Sequence, residues 1–275
     1  MDRWLGIDFS GNALMWRQGC RRSNVWIADV RRDRGGFHLH DVCRVQELPG
    51  AGGPFERLAV LLSAGQYEAA GIDAPFSVPD AFVERTGGHS ALLERVGTAS
   101  AVGRPFMKGS DMVRLIAGVV PPLTPPKPMR AADTFWTKLK INVRSPLWTG
   151  ARPGAPMTAA CLTLLHRAGR PLWPWSSGGL GLLVEAFPAG QLSTWGLPHV
   201  KYDGTSKAAT ATRATIIEAL ATRLRIGSRT PALLGSADAL DSVLAAFAAV
   251  AVTTSKVPTP SGITVATEGW VAVHP

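Results

Sequence analysis

The sequence predicts an α/β protein built on one mixed sheet, and three features predict it. Trp4-Leu5-Gly6-Ile7-Asp8-Phe9-Ser10-Gly11 is an apolar strand that ends on a lone carboxylate, and Ala69-Ala70-Gly71-Ile72-Asp73-Ala74-Pro75-Phe76 repeats the pattern. Between the two copies, strand-like segments are followed by a stretch with helical spacing, Pro54–Ala64, carrying Phe55, Leu58, Ala59, Leu61 and Leu62. Much later, Leu180 to Pro188 is a near-continuous apolar run of the kind a parallel strand buried on both faces needs, and it too reaches an acid, Glu185.

The elements follow in chain order. After Asp8 the chain turns at Ser10-Gly11-Asn12. Residues near 13–18, 24–31 and 37–45 read as further strands, with Arg34-Gly35-Gly36 as a turn signal, so an antiparallel meander is expected. A helix over 54–64 has Pro54 in its first turn, and a crossover helix before the Asp73 strand implies parallel pairing with an earlier strand. Residues 81–85 and 90–96 read as short helices. The rest of the region up to 150, broken by Pro125-Pro126 and Pro128, reads as a long loop over the sheet edge. A helix is expected over 156–168. Lys207 to Ile226 is amphipathic, with Ile216, Ile217, Leu220 and Leu224 on one face and Lys207, Arg213 and Arg223 on the other. An alanine-rich helix opens at Ser236 and runs to about 254, and 268–273 reads as a final edge strand. The expected organisation is a single domain over 1–275 with an inserted loop or helical region at about 77–155.

Composition narrows the function classes. Hydrophobic residues make up 46% and charged residues 18%, which describes a folded protein and not a disordered one. The net charge of +9 favours anionic partners, nucleic acid first among them, although the basic residues are scattered and a plain compositional bias gives the same number. None of the three cysteines, Cys20, Cys43 and Cys161, sits in a Cys-x-x-Cys pair, so a zinc knuckle or disulfide framework is not expected and a reducing, cytoplasmic setting is. The longest apolar run, 243–252, is about half of what a membrane span needs, so no membrane partner is expected. Phosphate-loop, dinucleotide and hydrolase-elbow motifs are missing.

Four places carry acids where chemistry needs them. Asp8, Asp73 and Glu185 close buried strands, and Asp238 and Asp241 lie one turn apart on a helix start. Parallel strands present their carboxyl ends at one sheet edge, where open α/β folds bind ligands. Three or four carboxylates gathered there suit Mg²⁺ or Mn²⁺, which prefer hard oxygen donors. Each acid also has a plainer role: Asp8 and Asp73 as turn formers, Asp238 and Asp241 as helix caps, Glu185 as an arginine partner. The basic and aromatic residues of 104–148, Arg130 and Lys138 among them, together with Lys207 and Arg213, are candidates for holding a nucleic-acid backbone.

Gly-Ile-Asp-Phe-Ser-Gly, Gly-Ile-Asp-Ala-Pro-Phe-Ser, Val-Glu-Ala-Phe-Pro-Ala and Asp-Ala-Leu-Asp-Ser-Val-Leu-Ala-Ala together resemble the bacterial family called domain of unknown function 429, usually described as a predicted nuclease. The closing Asp-x-x-Asp helix is similar to that of RuvC-type resolvases. The resemblance implies an RNase H-like mixed five-stranded sheet, its first three strands antiparallel, flanked by helices. It also implies metal ligation by Asp8 and Asp73, with Asp241 or Asp238 completing the site. Glu56 is the nearest match to the helix glutamate of RNase H itself, and that role is not carried over. The expected function is a divalent-metal-dependent nuclease. A nucleotide-phosphate-binding protein of the actin/sugar-kinase type and a non-catalytic nucleic-acid-binding module are the alternatives.

Overall fold

A computed structural model describes residues 2–99, 101–121, 123–254, 257 and 265–275. Among them one six-stranded sheet forms from β1 (Asp2–Asp8), β2 (Trp26–Asp33), β3 (Gly36–Arg44), β4 (Ala69–Asp73), β5 (Leu172–Trp173) and β6 (Leu182–Glu185). The order across the sheet is β3-β2-β1-β4-β6-β5. β1, β2 and β3 are antiparallel neighbours, whereas β1, β4, β6 and β5 run parallel. This is an RNase H-like arrangement with one strand more than expected: the two-residue β5 adds a short outer edge beside β6.

Side chains alternate across a strand, so the parity of each residue fixes the layer it faces. Leu5, Ile7, Ala70, Ile72 and Leu183 point into a large core with α1 (Pro54–Ala64) and α6 (Ala155–Ala168). Trp4, Ala69, Leu182 and Val184 point the other way, onto α10 (Ala237–Thr254), and Ala28 and Val30 face α10 and α8 (Lys207–Leu220). By composition and length α10 could span a membrane, but most of it is buried in this layer. Its small residues serve a close approach. A Cβ on Gly6 would strike the backbone of Ser242 and Ala246, and one on Gly71 the backbone of Ala245. The glycine of each Gly-Ile-Asp strand is therefore the notch into which α10 settles.

The inserted region is more helical than its prolines imply. Besides α2 (Asp80–Thr86) and α3 (His89–Gly97), it holds α4 (Gly109–Ala117), whose Met112, Val113 and Ile116 are buried, and α5 (Ala131–Lys138). Three further expectations are corrected. Residues 13–16 form a 3-10 turn and not a strand, because the Asn12 side chain accepts the Leu14 amide and curls the chain. The helix from Lys207 ends at Leu220, because Arg225 is drawn into backbone hydrogen bonds with Phe37 and Leu39 beside β3. Residues 270–273 add no strand. A short helix, α11 (Val265–Glu268), precedes them, Ala272 donates one backbone hydrogen bond to Glu185, and Trp270, Val271 and Val273 are buried against α5.

Candidate carboxylate site and adjoining cavities

The parallel register of β1 and β4 pairs Gly6 with Gly71 and Asp8 with Asp73. Both aspartates therefore stand on α10's face of the sheet, at the carboxyl ends of adjacent strands. α10 begins at this end, with the Ser236 hydroxyl accepting the Ala239 amide as a cap. The tight seat at Gly6 and Gly71 brings Asp238 and Asp241, one turn apart, down beside the strand acids. Asp8 is buried, and Asp73, Asp238 and Asp241 are half-buried.

The electrostatics record the crowding. Burial, then the charges of Asp241, Asp73 and Asp238, push the Asp8 carboxyl well above the usual carboxylate range. Asp241 is raised well above that range by burial and by Asp73, a rise opposed by the Tyr202 hydroxyl, which donates to its Oδ1 at 2.8 Å. Asp73 is pushed up to about 7 by burial and by Glu185, with the Arg144 guanidinium opposing the rise. Asp238 is raised by burial. Like charges forced together in this way favour either a bound proton or a bound cation.

Glu185 reaches the same sheet edge and the same cavity, but it is held by an arginine. The register partner of Glu185 is Ile72, so alternation starts its side chain toward the α6 layer, yet it lines the same cavity as Asp8, Asp73 and Asp238 and its charge is felt at Asp73. There Arg130 donates to Oε1 at 2.6 Å and to Oε2 at 2.7 Å, and the Phe76 amide donates to Oε2 at 2.8 Å. Asp133 takes the remaining side of the same guanidinium. Glu185 thus belongs to a buried ion triad that ties the inserted helix α5 to the sheet at the edge of the acid cavity.

Two of the four candidate nucleic-acid contacts are likewise corrected. Arg130 is 2% exposed and committed to Glu185 and Asp133, so it has no free face for a phosphate. Arg213, also 2% exposed, donates to the carbonyls of Leu234, Tyr202 and Gly204. It fixes the loop that delivers Tyr202 to Asp241. Lys138 and Lys207 are exposed. Glu56 pairs with Arg167 at 3.4 Å on the α1 side of the sheet, outside the cluster.

A cavity of about 290 Å³ opens over the acids, lined by Asp8, Asp73, Asp238, Asn24, Arg144 and Trp136, among others. Asn24 Oδ1 and Trp136 Nε1 are buried without a hydrogen-bond partner among the described residues. Tyr202 and Asn24 carried no distinguishing signal in the sequence, since each reaches the site only through the packing of a loop, whereas Arg144 belongs to the basic 104–148 stretch already singled out. The donor set is all hard oxygen, which suits Mg²⁺ or Mn²⁺. Among the described residues no three His, Cys, Asp or Glu side chains are close enough to form a ligand group for one ion. The acids therefore crowd one sheet edge, with Asp8, Asp73, Asp238 and Glu185 lining the cavity, without forming a ligand group for a single ion.

Comparison with known proteins gives one match: the family model described as "Protein of unknown function (DUF429)" covers residues 6–263. No curated protein and no solved structure matches the chain.

Proposed function

Since this chain belongs to the DUF429 family of proteins of unknown function, its chemistry has to be inferred from the site, and we propose that it is a divalent-metal-dependent phosphodiesterase acting on nucleic acid. The observation that carries this reading is the pairing of Asp8 with Asp73 across adjacent parallel strands, with Asp241 and Asp238 lowered onto them by α10. Four carboxylates that raise one another's pKa at one sheet edge hold protons in the absence of a cation, and a divalent ion that displaced those protons would relieve the same repulsion.

In this reading Asp8, Asp73 and Asp241 hold Mg²⁺ or Mn²⁺, and Asp238 completes the donor set. Divalent ions held there would acidify a water and neutralise charge on the phosphodiester. The chain's own residues do the rest. Tyr202 keeps one Asp241 oxygen occupied and so aims the other. Arg144 offers a fixed positive charge beside Asp73 to a substrate oxygen. Trp136 and Asn24 present an unpaired donor and an unpaired acceptor to whatever enters.

Replacing Asp8 or Asp73 by Asn is expected to abolish Mg²⁺- or Mn²⁺-dependent cleavage of labelled DNA and RNA. Melting temperature should stay equal or rise, because a repelling charge has been removed. Cleavage by either variant at the wild-type rate would rule the reading out.

A further inference from the structure

A second and larger cavity, of about 550 Å³, adjoins the acid site and shares Phe9, Asn24, Arg144 and Met157 with it. Its chemistry is opposite. Arg104, Lys108 and Arg144 line it, and no Asp or Glu does. Among the described residues none of these three cations has an ion pair or a side-chain hydrogen bond, and Arg104 Nε is buried without an acceptor. The nearest acid on the same element, Asp111, is taken by Arg114 at 3.3 Å.

The cavity wall adds backbone donors. Lys108 is the N-cap of the nine-residue helix α4, whose first two residues, Gly109 and Ser110, line the cavity. Neither amide has an acceptor among the described residues, whereas those of Asp111 and Met112 are bonded to the Lys108 carbonyl. Amides at a helix start carry the positive end of the helix dipole and select anions. A Cβ on Gly109 would meet the backbone of Ala155 and Pro156, so the start of α4 lies directly against the start of α6 and the wall is rigid. Among the described residues, Arg104 and Lys108 without an ion pair, Arg144 answered only by the charge of Asp73 next door, two amides without acceptors and no carboxylate in the wall of one open cavity leave an unmet demand for negative charge.

We propose that this cavity is a phosphate seat that takes a non-scissile phosphate of a nucleic-acid strand, while the neighbouring phosphodiester lies at the Asp8, Asp73 and Asp241 site. The identity of the ligand as a strand rests on the nuclease reading; the demand for a phosphate rests on the cavity alone. The shared wall makes the two sites one trough, basic at one end and acidic at the other. A chain of phosphates fits that trough, because one phosphate meets fixed cations while the next meets carboxylates that need a cation between.

The test is binding without divalent ions, so that cleavage plays no part. Fluorescently labelled single-stranded DNA is titrated with the full chain in EDTA across a salt series, and ATP is titrated separately. The double substitution Arg104→Gln with Lys108→Gln is expected to weaken oligonucleotide binding by at least about tenfold. It should also make the slope of log affinity against log salt shallower by about 1.4, at roughly 0.7 per lost phosphate contact on a single strand. The charge-preserving pair Arg104→Lys with Lys108→Arg should restore most of the binding, which a folding defect would not allow.

Equal affinity and slope for wild type and the Gln pair would overturn the proposal, as would no binding by wild type. Tighter binding of ATP than of the oligonucleotide, lost in the Gln pair, would overturn the strand and leave a nucleotide as the ligand. The Asp73→Asn variant separates this result from the nuclease reading. If it binds the strand as wild type does while wild type cleaves nothing, the seat stands and the nuclease falls.

Discussion

Asp73 titrates inside the range a melting experiment can reach. Its folded value of about 7 lies above the ordinary 3.8, so between these limits the folded protein keeps a proton that the unfolded chain has released. Stability from this group is full below about 4 and is lost as pH rises through about 7. In EDTA the melting temperature is therefore expected to fall across that window, and Asp73→Asn should flatten the fall. Mg²⁺ or Mn²⁺ should raise the melting temperature more at about pH 8 than at about pH 5, because the ion competes with the proton for the same oxygens. A melting curve blind to both pH and metal would mean that the acids do not feel one another. Tyr202 acts on the same balance. Its hydroxyl steadies ionised Asp241, so Tyr202→Phe should move the pH dependence of metal binding upward and cost about 1 kcal/mol of stability.

At the scale of elements, the placement of α10 decides whether there is a site. Gly6 and Gly71 let its backbone lie directly on the strands, and Ser242, Ala245 and Ala246 supply the matching small surface. Gly6→Ala or Gly71→Ala would force the helix away and lift Asp238 and Asp241 from the strand acids. The expected result is a loss of about 1–3 kcal/mol in stability, with a fall in metal affinity beyond that seen for an alanine elsewhere in the sheet. α5 is held differently, by the buried triad of Arg130, Glu185 and Asp133. Arg130→Ala strands two buried carboxylates and should cost about 3–5 kcal/mol by chemical denaturation. These elements were unequally legible. The helix over 54–64 and the alanine-rich helix announced themselves by long, regular apolar spacing. α4 and α5 did not, because nine and eight residues between prolines give too few turns for a period to emerge. The strand expected over 13–18 yielded to a side-chain turn at Asn12, and the one expected over 268–273 owes its apolar pattern to packing on α5 instead of to a ladder.

Across the whole molecule, charge is sorted in a way the net figure of +9 conceals. Several of the basic residues are already engaged: Arg130 on the buried triad, Arg213 on buried carbonyls, and the half-buried Arg3 and Arg31 on Asp29. What remains beside the acids is a small set of unpaired cations around one cavity, and that set, not the total, bears on the partner. The sequence by itself determined the mixed sheet, the strands at 2–8, 26–44, 69–73 and 182–185 with the helices at 54–64 and 237–254, and the acids at strand ends and on that last long helix, because these follow from local periodicity and from turn residues. It could not determine which of those acids meet. That depended on register: Asp73 falls opposite Asp8 and Glu185 opposite Ile72, and in a pleated sheet one residue of offset sends a side chain to the other face. It also depended on which arginines burial would consume, a choice made between groups far apart in the chain and visible only once they are packed together.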